Sequence, residues 1–525
     1  MERHSRPGYY VVGEGLIGTD QAPPGQALRL SMDTDLRAFR FSRVGPKGRQ
    51  LPEPLRRKLG AAMTRDAGKR NSRIPAGFTY LGQFVDHDLT FDKSKLESDA
   101  VVPVIDLIQG RSPSLDLDSL YGLGPTMTPQ FYSDGVRLKT GTTVPSFPDD
   151  GIADRPQPGF DLPRRPNRTA LIPDARNDEN LAVAQTHLAF IRFHNRVADK
   201  LAAEGVAPAN LFAAARETVV RHYQWMLRTD FLPRITNRAQ LNGVFANGRR
   251  IVEPSPAPGD APTMPVEFSV GAYRLGHSMV RAAYDWNRVF DDGGGTLEFL
   301  FIFSGTSGDP RLGGEAGLPT NWIADFRRLY TFAEAGRPDL RPIVRGRNRL
   351  NFARRIDTLL ADPLRGLPSG SLGGPEPSAP RRNLAFRNLT RARMLQLATG
   401  QQMAALARAR GLSIPTLTRA RILTGKDGAA LGGLNAPQRN ALARDTPLWF
   451  YVLREAEWNN GRMTGVGGRI VAETFHRAME GSDVSIVRDP AWRPTLGPDP
   501  DTFRMTDLLL FAFEGKEELL NPLGD

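Results

Sequence analysis

The residues best suited to chemistry lie near residue 85, where an apolar stretch carries one histidine between two acids. His87 is flanked by Asp86 and Asp88, and Gln83 precedes it by four residues. Histidine occurs only 7 times in 525 residues, so this arrangement is uncommon in the chain. At helical pitch Gln83 and His87 share a face, whereas Asp88 is turned by about 100° and would serve another site. The pattern is consistent with a self-satisfied buried polar cluster or with a catalytic or metal site.

A second histidine in an apolar stretch could complete such a site from the opposite side. His277 follows Arg274 by three residues, which places both on one face of a helix. This pairing suits an axial haem ligand with a propionate partner. His277 alone is equally consistent with a satisfied core histidine. Paired with His87, it indicates a haem site with an iron ligand on one side and an acid–base group on the other.

Two charged residues stand at the start of the long helix that we predict after residue 177. Arg176 and Glu179 are three residues apart and share a face. They could form a surface ion pair at an acidic helix N-terminus. They could equally supply a cation that polarises bound peroxide and a carboxylate that reaches a cofactor. Position alone does not distinguish these interpretations.

A short run of oxygen donors provides a candidate cation site. Asp116 and Asp118 are preceded by Ser112 and Ser114. Calcium prefers about six to eight oxygen ligands, including backbone carbonyls. A solvated turn is the alternative, and it would be weakened if Asp88 lay close.

Helices must position these side chains, because helical periodicity dominates and strand patterns are scarce. Pro75 suits the first turn of the helix that carries His87. No internal repeat is present, and the fold class is therefore mainly α. We predict further helices near residues 52–59, 177–203, 208–232, 268–283, 383–394, 400–410, 436–445, 447–458 and 467–479.

Composition excludes several classes of site. The chain has no cysteine, so disulfides and thiolate ligands are excluded. Its net charge is +12, yet it has neither a basic tail nor an RNA-binding motif, so no nucleic-acid partner is expected. No apolar run is long enough to span a membrane. No signal peptide is visible, so we expect a soluble protein that is cytoplasmic or secreted by a leaderless route.

Five segments, in order, resemble the signatures of the animal-type haem peroxidases of the peroxidase–cyclooxygenase superfamily, in its bacterial branch. The resemblance extends from about residue 73 to about residue 495. It implies a mainly α, myeloperoxidase-like haem peroxidase domain with little β-structure at residues 73–525, preceded by an extended arm at residues 1–72. The matching segments are Leu81–Asp88, Leu115–Gly122, Arg176–Glu179 followed by His187–Asn195, Tyr273–Ser278, and Arg387–Arg393.

The resemblance implies roles for the residues on the distal side of the haem. His87 corresponds to the histidine that takes a proton from hydrogen peroxide. Arg176 corresponds to the arginine that stabilises the developing charge, and Gln83 to the glutamine that holds water or halide. Asp86 and Glu179 occupy positions where family members form ester links to haem methyl groups. The expected cofactor is therefore haem b with two ester links.

On the proximal side, the resemblance identifies His277 as the iron ligand. Asn388 corresponds to the residue that hydrogen-bonds the other ring nitrogen, and Arg274 to an arginine near a haem propionate. In the cyclooxygenases a radical-forming tyrosine occupies the position of Arg274, and Tyr273 is one position away. Fatty-acid oxygenation is therefore disfavoured. Asn180 stands where myeloperoxidase has the methionine of its sulfonium link, so that link should be absent.

The resemblance also implies a calcium ion beside the distal histidine. Its expected ligands are Asp88, Ser112, Ser114, Asp116 and Asp118, with Ser114 contributing through its carbonyl.

The expected activity is reduction of hydrogen peroxide coupled to oxidation of halide, thiocyanate or small phenolic donors, with a role in the response to oxidative stress. Two alternatives remain: a haem-dependent fatty-acid oxygenase, and a non-catalytic basic helical binding protein. The oligomeric state is not predicted.

Overall fold

Helices make up most of the ordered elements in the computed structural model of the chain. The structure describes residues 9–11, 15–17, 39–65, 70–94, 100–144, 159–166, 169–257, 259–302, 317–344, 347–367 and 379–525. The helices of eight or more residues are α1 (Glu53–Met63), α2 (Gly77–Leu89), α3 (Leu181–Ala203), α4 (Pro208–Met226), α5 (Arg238–Asn247), α6 (Leu384–Met394), α7 (Gly400–Ala409), α8 (Ala436–Arg444), α9 (Leu448–Trp458), α10 (Gly465–Glu480) and α11 (Met505–Ala512).

The strands of the described residues are short and occur only in pairs. The six pairs are Tyr9–Val11 with Gly15–Ile17, Phe41–Ser42 with Met264–Pro265, Asn71–Pro75 with Phe352–Arg354, Gly141–Thr142 with Phe160–Asp161, Ala283–Tyr284 with Gly295–Thr296, and Ile343–Val344 with Arg347–Asn348. The predicted mainly α class with little β-structure is confirmed.

The long helix α3 lies at the centre of the core. It packs against α2, α4 and α11. Apolar residues on all its sides are buried from Leu181 to Ala198. This is the arrangement expected of a helix with two apolar faces. Apolar spacing on two helix faces predicts a buried helix at residues 177–203, and the structure confirms that it is buried.

The segment that carries His277 is helical but irregular. A π turn at Glu267–Gly271 is followed by a 3₁₀ turn at Ala272–Leu275 and an α turn at Gly276–Met279. At Gly271 a Cβ would lie 3.0 Å from Cδ2 of Leu448 on α9. The helix predicted near residues 268–283 is thus present as a series of helical turns, but it ends at Met279, because Val280 is extended.

The described part of the N-terminal region packs on the helical body. The backbone amides of Val44 and Gly45 donate to Glu267 at 3.0 and 2.9 Å, and α1 packs against α6. Residues 18–38 lie outside the described residues. So does most of the stretch 364–382, whose Gly, Pro and Ser content predicts a linker or a surface loop. A domain boundary at residues 72 and 73 stays a prediction.

No helix in the described ranges is both long and apolar enough to cross a lipid bilayer.

Candidate active site

Helix α2 carries four of the predicted site residues into the interior. Its first residue, Gly77, lies against Tyr330, where a Cβ would come within 2.2 Å of the phenol ring. Phe84 stacks on Phe190 of α3 with ring centroids 4.5 Å apart. These contacts fix the position and rotation of α2 against α3, and they direct His87 towards the turn that precedes α3.

His87 is a buried, neutral imidazole. Its side chain is only 1% exposed. Nδ1 lies 2.8 Å from Oδ1 of Asn177, and Nε2 lies 3.6 Å from Oε1 of Glu179. Burial lowers the pKa of His87 to about 3, and the nearby Arg176 acts in the same direction. At neutral pH the ring is therefore unprotonated, and one of its nitrogens keeps a free lone pair.

Gln83 and Glu179 lie together beside His87. Nε2 of Gln83 donates to Oε1 of Glu179. Oε1 of Gln83 accepts from Nδ2 of Asn180 at 3.0 Å. Asn180 also caps α3, because its Oδ1 accepts from the amide of Val183 at 2.9 Å. One residue thus begins the helix and orients the glutamine.

Arg176 is buried behind His87 and is held by an acid that the sequence did not indicate. Nη2 of Arg176 donates to the carbonyl oxygen of His87 at 2.9 Å. Its Nε and Nη2 donate to Asp174 at 3.0 and 2.6 Å, and its guanidinium lies 4.2 Å from the ring centroid of Phe91. Asp174 also accepts from Arg111 at 3.0 and 2.8 Å. Burial opposes its ionisation, but the two guanidinium groups hold the pKa of Asp174 well below its usual range.

Asp86 lies where the two sides of the site meet. Burial raises its pKa to about 6, although Arg176 and Arg274 both favour the carboxylate. One of these arginines precedes α3 and the other belongs to the His277 segment. The hydroxyl of Tyr273 donates to the carbonyl oxygen of Gly82 at 3.2 Å. The His277 segment therefore packs directly on α2.

His277 and Arg274 converge on Asn388 of α6. Nδ1 of His277 lies 2.8 Å from Nδ2 of Asn388, and Nη1 of Arg274 donates to Oδ1 of the same amide. The 3₁₀ turn has three residues per turn, which brings residues three apart onto one face. The predicted common face of Arg274 and His277 is thus realised, although the backbone is not a regular α-helix.

The candidate calcium residues fall into two groups. In the first, Asp88 accepts from the hydroxyls of Ser119 and Tyr223 at 3.1 and 3.3 Å. Oδ2 of Asp118 accepts from the amide of Ser112 at 3.0 Å. Oδ1 of Asp118 is buried with no hydrogen-bond partner in the described structure. Burial, together with the nearby Asp118, raises the pKa of Asp88 well above its usual value.

In the second group, Asp116 and Ser114 contact the turn after α10. Asp116 accepts from the hydroxyl of Ser482, and the hydroxyl of Ser114 donates to the carbonyl oxygen of Gly481 at 3.2 Å. Within the described ranges, no group of three or more His, Cys, Asp or Glu side chains is placed to hold a metal ion. Asp88 and Asp118 are near enough for their charges to interact, but they do not by themselves make a complete ligand set.

Sequence reasoning missed the groups that support the site: Asp174, Arg111, Asn177 and His187. Asp174 stands two residues before Arg176, so a weak local signal existed for it. Asn177 lies within the recognised Arg176–Glu179 segment, but spacing gives no reason to connect it to His87. Arg111 carries no local signal of its contact, because its partner Asp174 is 63 residues away in the chain. His187 begins the recognised segment His187–Asn195, but its spacing of ten residues from Asn177 does not indicate their contact.

Comparison with known proteins is consistent with this geometry. The family model described as animal haem peroxidase matches residues 103–293. A peroxidase-like protein of Margaritifera margaritifera is 32% identical over 127 residues, which are 23% of this chain and 15% of that relative. The match thus covers only a small part of the relative.

Two solved structures are similar over most of the chain. Peroxidase A from Dictyostelium discoideum has a TM-score of 0.53 and 16% identity, with 95% of each chain covered. The fatty acid alpha-dioxygenase of Arabidopsis thaliana has a TM-score of 0.54 and 14% identity, with 91% of this chain and 75% of that chain covered. At such identities the likeness concerns the fold. Residues 103–293 therefore match the animal haem peroxidase family, and the chain has the helical fold of that group.

Proposed function

We propose that this protein is a haem peroxidase that reduces hydrogen peroxide and oxidises halide, thiocyanate or a small phenolic donor. The observation that carries the proposal is the neutral, buried imidazole of His87, with Glu179 at Nε2 and Arg176 behind it. The counterpart of His87 is His277, which is paired with Asn388. His277 belongs to the segment that packs on α2. The two histidines are the two groups that a haem peroxidase needs on opposite sides of its cofactor.

The residues around His277 fit haem b. Asn388 occupies Nδ1 of His277, which leaves Nε2 as the nitrogen that would bind iron. With iron at Nε2 the ring proton would be on Nδ1, so the amide of Asn388 would present Oδ1 there in place of Nδ2. A Cβ at Gly276 would meet no atom within 4 Å, so there is open space beside the histidine. Arg274 supplies a cation for a propionate. When bound, haem iron supplies the electrons that cleave the O–O bond and holds the oxidising equivalents that donors then remove.

The chain itself supplies the proton transfers and the electrostatic field. Nε2 of His87 takes a proton from hydrogen peroxide and returns it to the leaving oxygen. The positive charge of Arg176, buried against Phe91, stabilises negative charge as it develops. Gln83 holds a water molecule or halide beside His87.

We further propose that Asp86 and Glu179 form ester links to the haem. Both carboxyls are at the site: Asp86 lies near the two arginines, and Glu179 contacts Gln83 and His87. Acid–acetone extraction after peroxide turnover should leave haem on the wild-type chain. Asp86→Val combined with Glu179→Ala should release it, and complete extraction from the wild type would refute the links.

A calcium ion beside His87 is also part of the proposal, with Asp88, Asp118, Ser112, Asp116 and the Ser114 carbonyl as its expected ligands. The support is the unsatisfied oxygen of Asp118 and the close approach of two buried carboxylates. A bound cation would supply the partner that the Asp118 oxygen lacks, and it would offset the repulsion between the two buried carboxylates. Chelation by EGTA should lower the melting temperature of the wild type. Asp118→Asn should respond much less, and an equal response would contradict the site.

The fold likeness to a fatty acid alpha-dioxygenase supports a second candidate, haem-dependent oxygenation of a fatty acid. Arg274 at the third position before His277 disfavours it, as does Tyr273, whose hydroxyl is bound to Gly82. Oxygen uptake with fatty acid and no peroxide would support this candidate, particularly if Tyr273→Phe abolished the uptake.

The test of the main proposal combines an absorption spectrum with steady-state assays of bromide, iodide, thiocyanate and a phenol. The wild type should show a Soret band and peroxide-dependent turnover. His277→Ala should lose haem, and His87→Ala should keep haem but lose turnover. His476→Ala is the matched control, because His476 is also buried but contacts Arg249 instead of the site. A non-catalytic binding protein would show no Soret band after haem supplementation.

A further inference from the structure

A second buried histidine is joined to His87 through one amide. Nδ1 of His87 lies 2.8 Å from Oδ1 of Asn177, and Nδ2 of Asn177 lies 2.9 Å from Nδ1 of His187. The three side chains come from α2, from the 3₁₀ turn Ala175–Asp178 and from α3, and all are buried. Nothing else in the proposed reaction uses His187.

The amide of Asn177 has two ends of opposite character, and each end faces one imidazole. Its oxygen only accepts hydrogen bonds, and its nitrogen only donates them. With Oδ1 towards His87, the proton of that neutral ring is on Nδ1, and Nε2 keeps the lone pair that a base needs. If the amide were reversed, Nδ1 of His87 would accept and the proton would be on Nε2. That tautomer cannot take a proton from peroxide at Nε2.

His187 supplies the acceptor that the first orientation requires. With the amide placed in this way, Nδ1 of His187 accepts from Nδ2 of Asn177. The proton of His187 is then on Nε2, which is buried with no hydrogen-bond partner in the described structure. Burial lowers the pKa of His187 to about 3, which keeps the ring neutral and preserves the acceptor. The ring also packs edge-on against Phe84 of α2, with centroids 5.7 Å apart, and this contact limits its rotation.

We propose that His187 is a positioning residue for the peroxide reaction: by accepting from Asn177 it keeps the amide oxygen towards His87 and leaves Nε2 of His87 unprotonated. No proton passes along the chain of three residues. The inference rests on the proposed peroxidase function, and it adds the group that sets the tautomer of the distal base.

Two substitutions of His187 separate its hydrogen bond from its bulk. His187→Leu removes the acceptor, and the rate constant for reaction of the holoenzyme with peroxide should fall by about tenfold or more, because general-base transfer contributes ~10²–10⁴-fold. His187→Asn places an amide oxygen close to the former Nδ1 position, and it should restore most of the rate. Haem content and melting temperature establish that both variants are folded. Equal rates in His187→Leu and the wild type would overturn the proposal.

A double-mutant cycle with Asn177→Asp tests the orientation argument directly. A carboxylate presents an acceptor to His87 whichever way it is turned, so the hydrogen bond from position 177 to His187 no longer affects the tautomer of His87. In the Asn177→Asp background, His187→Leu should change the rate by less than about twofold. A loss as large as in the wild-type background would show that His187 acts through packing, and would overturn the proposal.

A measurement independent of turnover uses nitrogen-15 NMR of histidine-labelled holoenzyme in its diamagnetic ferrous carbonyl form. The His87 resonances, assigned by their absence in His87→Ala, should report a proton on Nδ1 in the wild type. In His187→Leu, part or all of the population should move the proton to Nε2. If the wild type did not react with peroxide, the proposed function would fail, whereas this spectrum would still decide the tautomer. An unchanged His87 tautomer in His187→Leu would refute the inference.

Discussion

Arg176 and Asp174 illustrate, at the scale of single residues, how this interior accommodates charge. Asp174 accepts from both Arg176 and Arg111, so one carboxylate serves two buried guanidinium groups. Breaking such a pair by removing one partner is costly, because the other is left buried without compensation. The carboxylate thus holds Arg176 beside His87, and it belongs to the site although it would contact no substrate.

Asn180 both caps a helix and orients Gln83. Asn237, which also caps a helix, is the control that distinguishes the two roles. Asn180 and Asn237 both cap a helix, the first α3 and the second α5, through a side-chain oxygen. Their replacement by Ala should lower the free energy of unfolding by ~1 kcal/mol in each case. Only Asn180→Ala also releases Gln83, so it alone should reduce peroxidase turnover. Equal turnover in the two variants, measured beside urea unfolding, would contradict the role of the Gln83 contact.

His222 should make the fold sensitive to acid. Its Nδ1 donates to the carbonyl oxygen of Thr218 at 2.7 Å, and its Nε2 accepts from the amides of Thr495 and Leu496 at 2.9 and 3.2 Å. Burial lowers the pKa of His222 to about 4. Its stabilising contribution is complete above the unfolded-state pKa of ~6.5 and is lost as the pH falls towards 4.

The measurement is the free energy of unfolding of the wild type and of His222→Gln at two pH values. Glutamine retains an acceptor close to the Nε2 position but does not titrate. Between pH 7.5 and 5.0 the wild type should lose ~2 kcal/mol relative to the variant. A difference between the two proteins that did not change with pH would show that His222 is not responsible.

At the scale of elements, the site depends on how closely α2 approaches its neighbours. Gly77 begins α2 against the ring of Tyr330, where no side chain fits. The position of this first turn determines the depth at which Gln83 and His87 lie in the core. A shift of α2 would therefore change all the distal contacts together.

Gly77→Ala should destabilise the protein by ~1–3 kcal/mol and lower its haem content, because the added methyl group overpacks the contact. Gly243→Ala in α5 is the control, since a Cβ there meets no atom within 4 Å. In a helix interior this substitution should stabilise by up to ~1 kcal/mol. Thermal unfolding and the Soret absorbance of both variants provide the comparison. If Gly77→Ala left the melting temperature and the haem content unchanged, α2 would be able to move without loss of stability.

At the scale of the molecule, the N-terminal region is bound to the segment that carries the proposed iron ligand. Glu267 begins that segment, and its buried carboxylate accepts from the amides of Val44 and Gly45. Gly45 is itself tightly enclosed, since a Cβ would lie 2.4 Å from Sδ of Met403. We propose that residues 1–72 act as an arm that braces the catalytic body at residues 73–525.

Glu267→Ala should lower the free energy of unfolding by ~2–5 kcal/mol, because two backbone donors lose a charged acceptor. It should also expose residues 39–50 to limited proteolysis and weaken haem retention. Glu455→Ala is the control, because Glu455 similarly accepts from the amides of Val466 and Gly467, at the start of α10. Cleavage within residues 39–50 in both variants, or in neither, would contradict the brace.

Local spacing was sufficient to predict much of the helical framework. Apolar periodicity indicated α3 and its buried position, because the side chains that share a helix face are neighbours in sequence. The same principle joined Gln83 to His87, and Arg274 to His277. The pitch of the His277 segment was not predictable from spacing: the irregular turns at Gly271 lie where the segment packs closely against Leu448 of another helix.

By itself, therefore, the sequence determined most of the longer helices, the faces they present, and the ordered segments that resemble a haem peroxidase. Only the tertiary structure decided which distant groups meet: His277 with Asn388, His87 with Asn177, and Asp116 with Ser482. The physical reason is that a hydrogen bond between elements depends on how they pack, and residue spacing carries no information about that packing. The tautomer proposed for His87 depends on such contacts, so it could be inferred only once the fold was known.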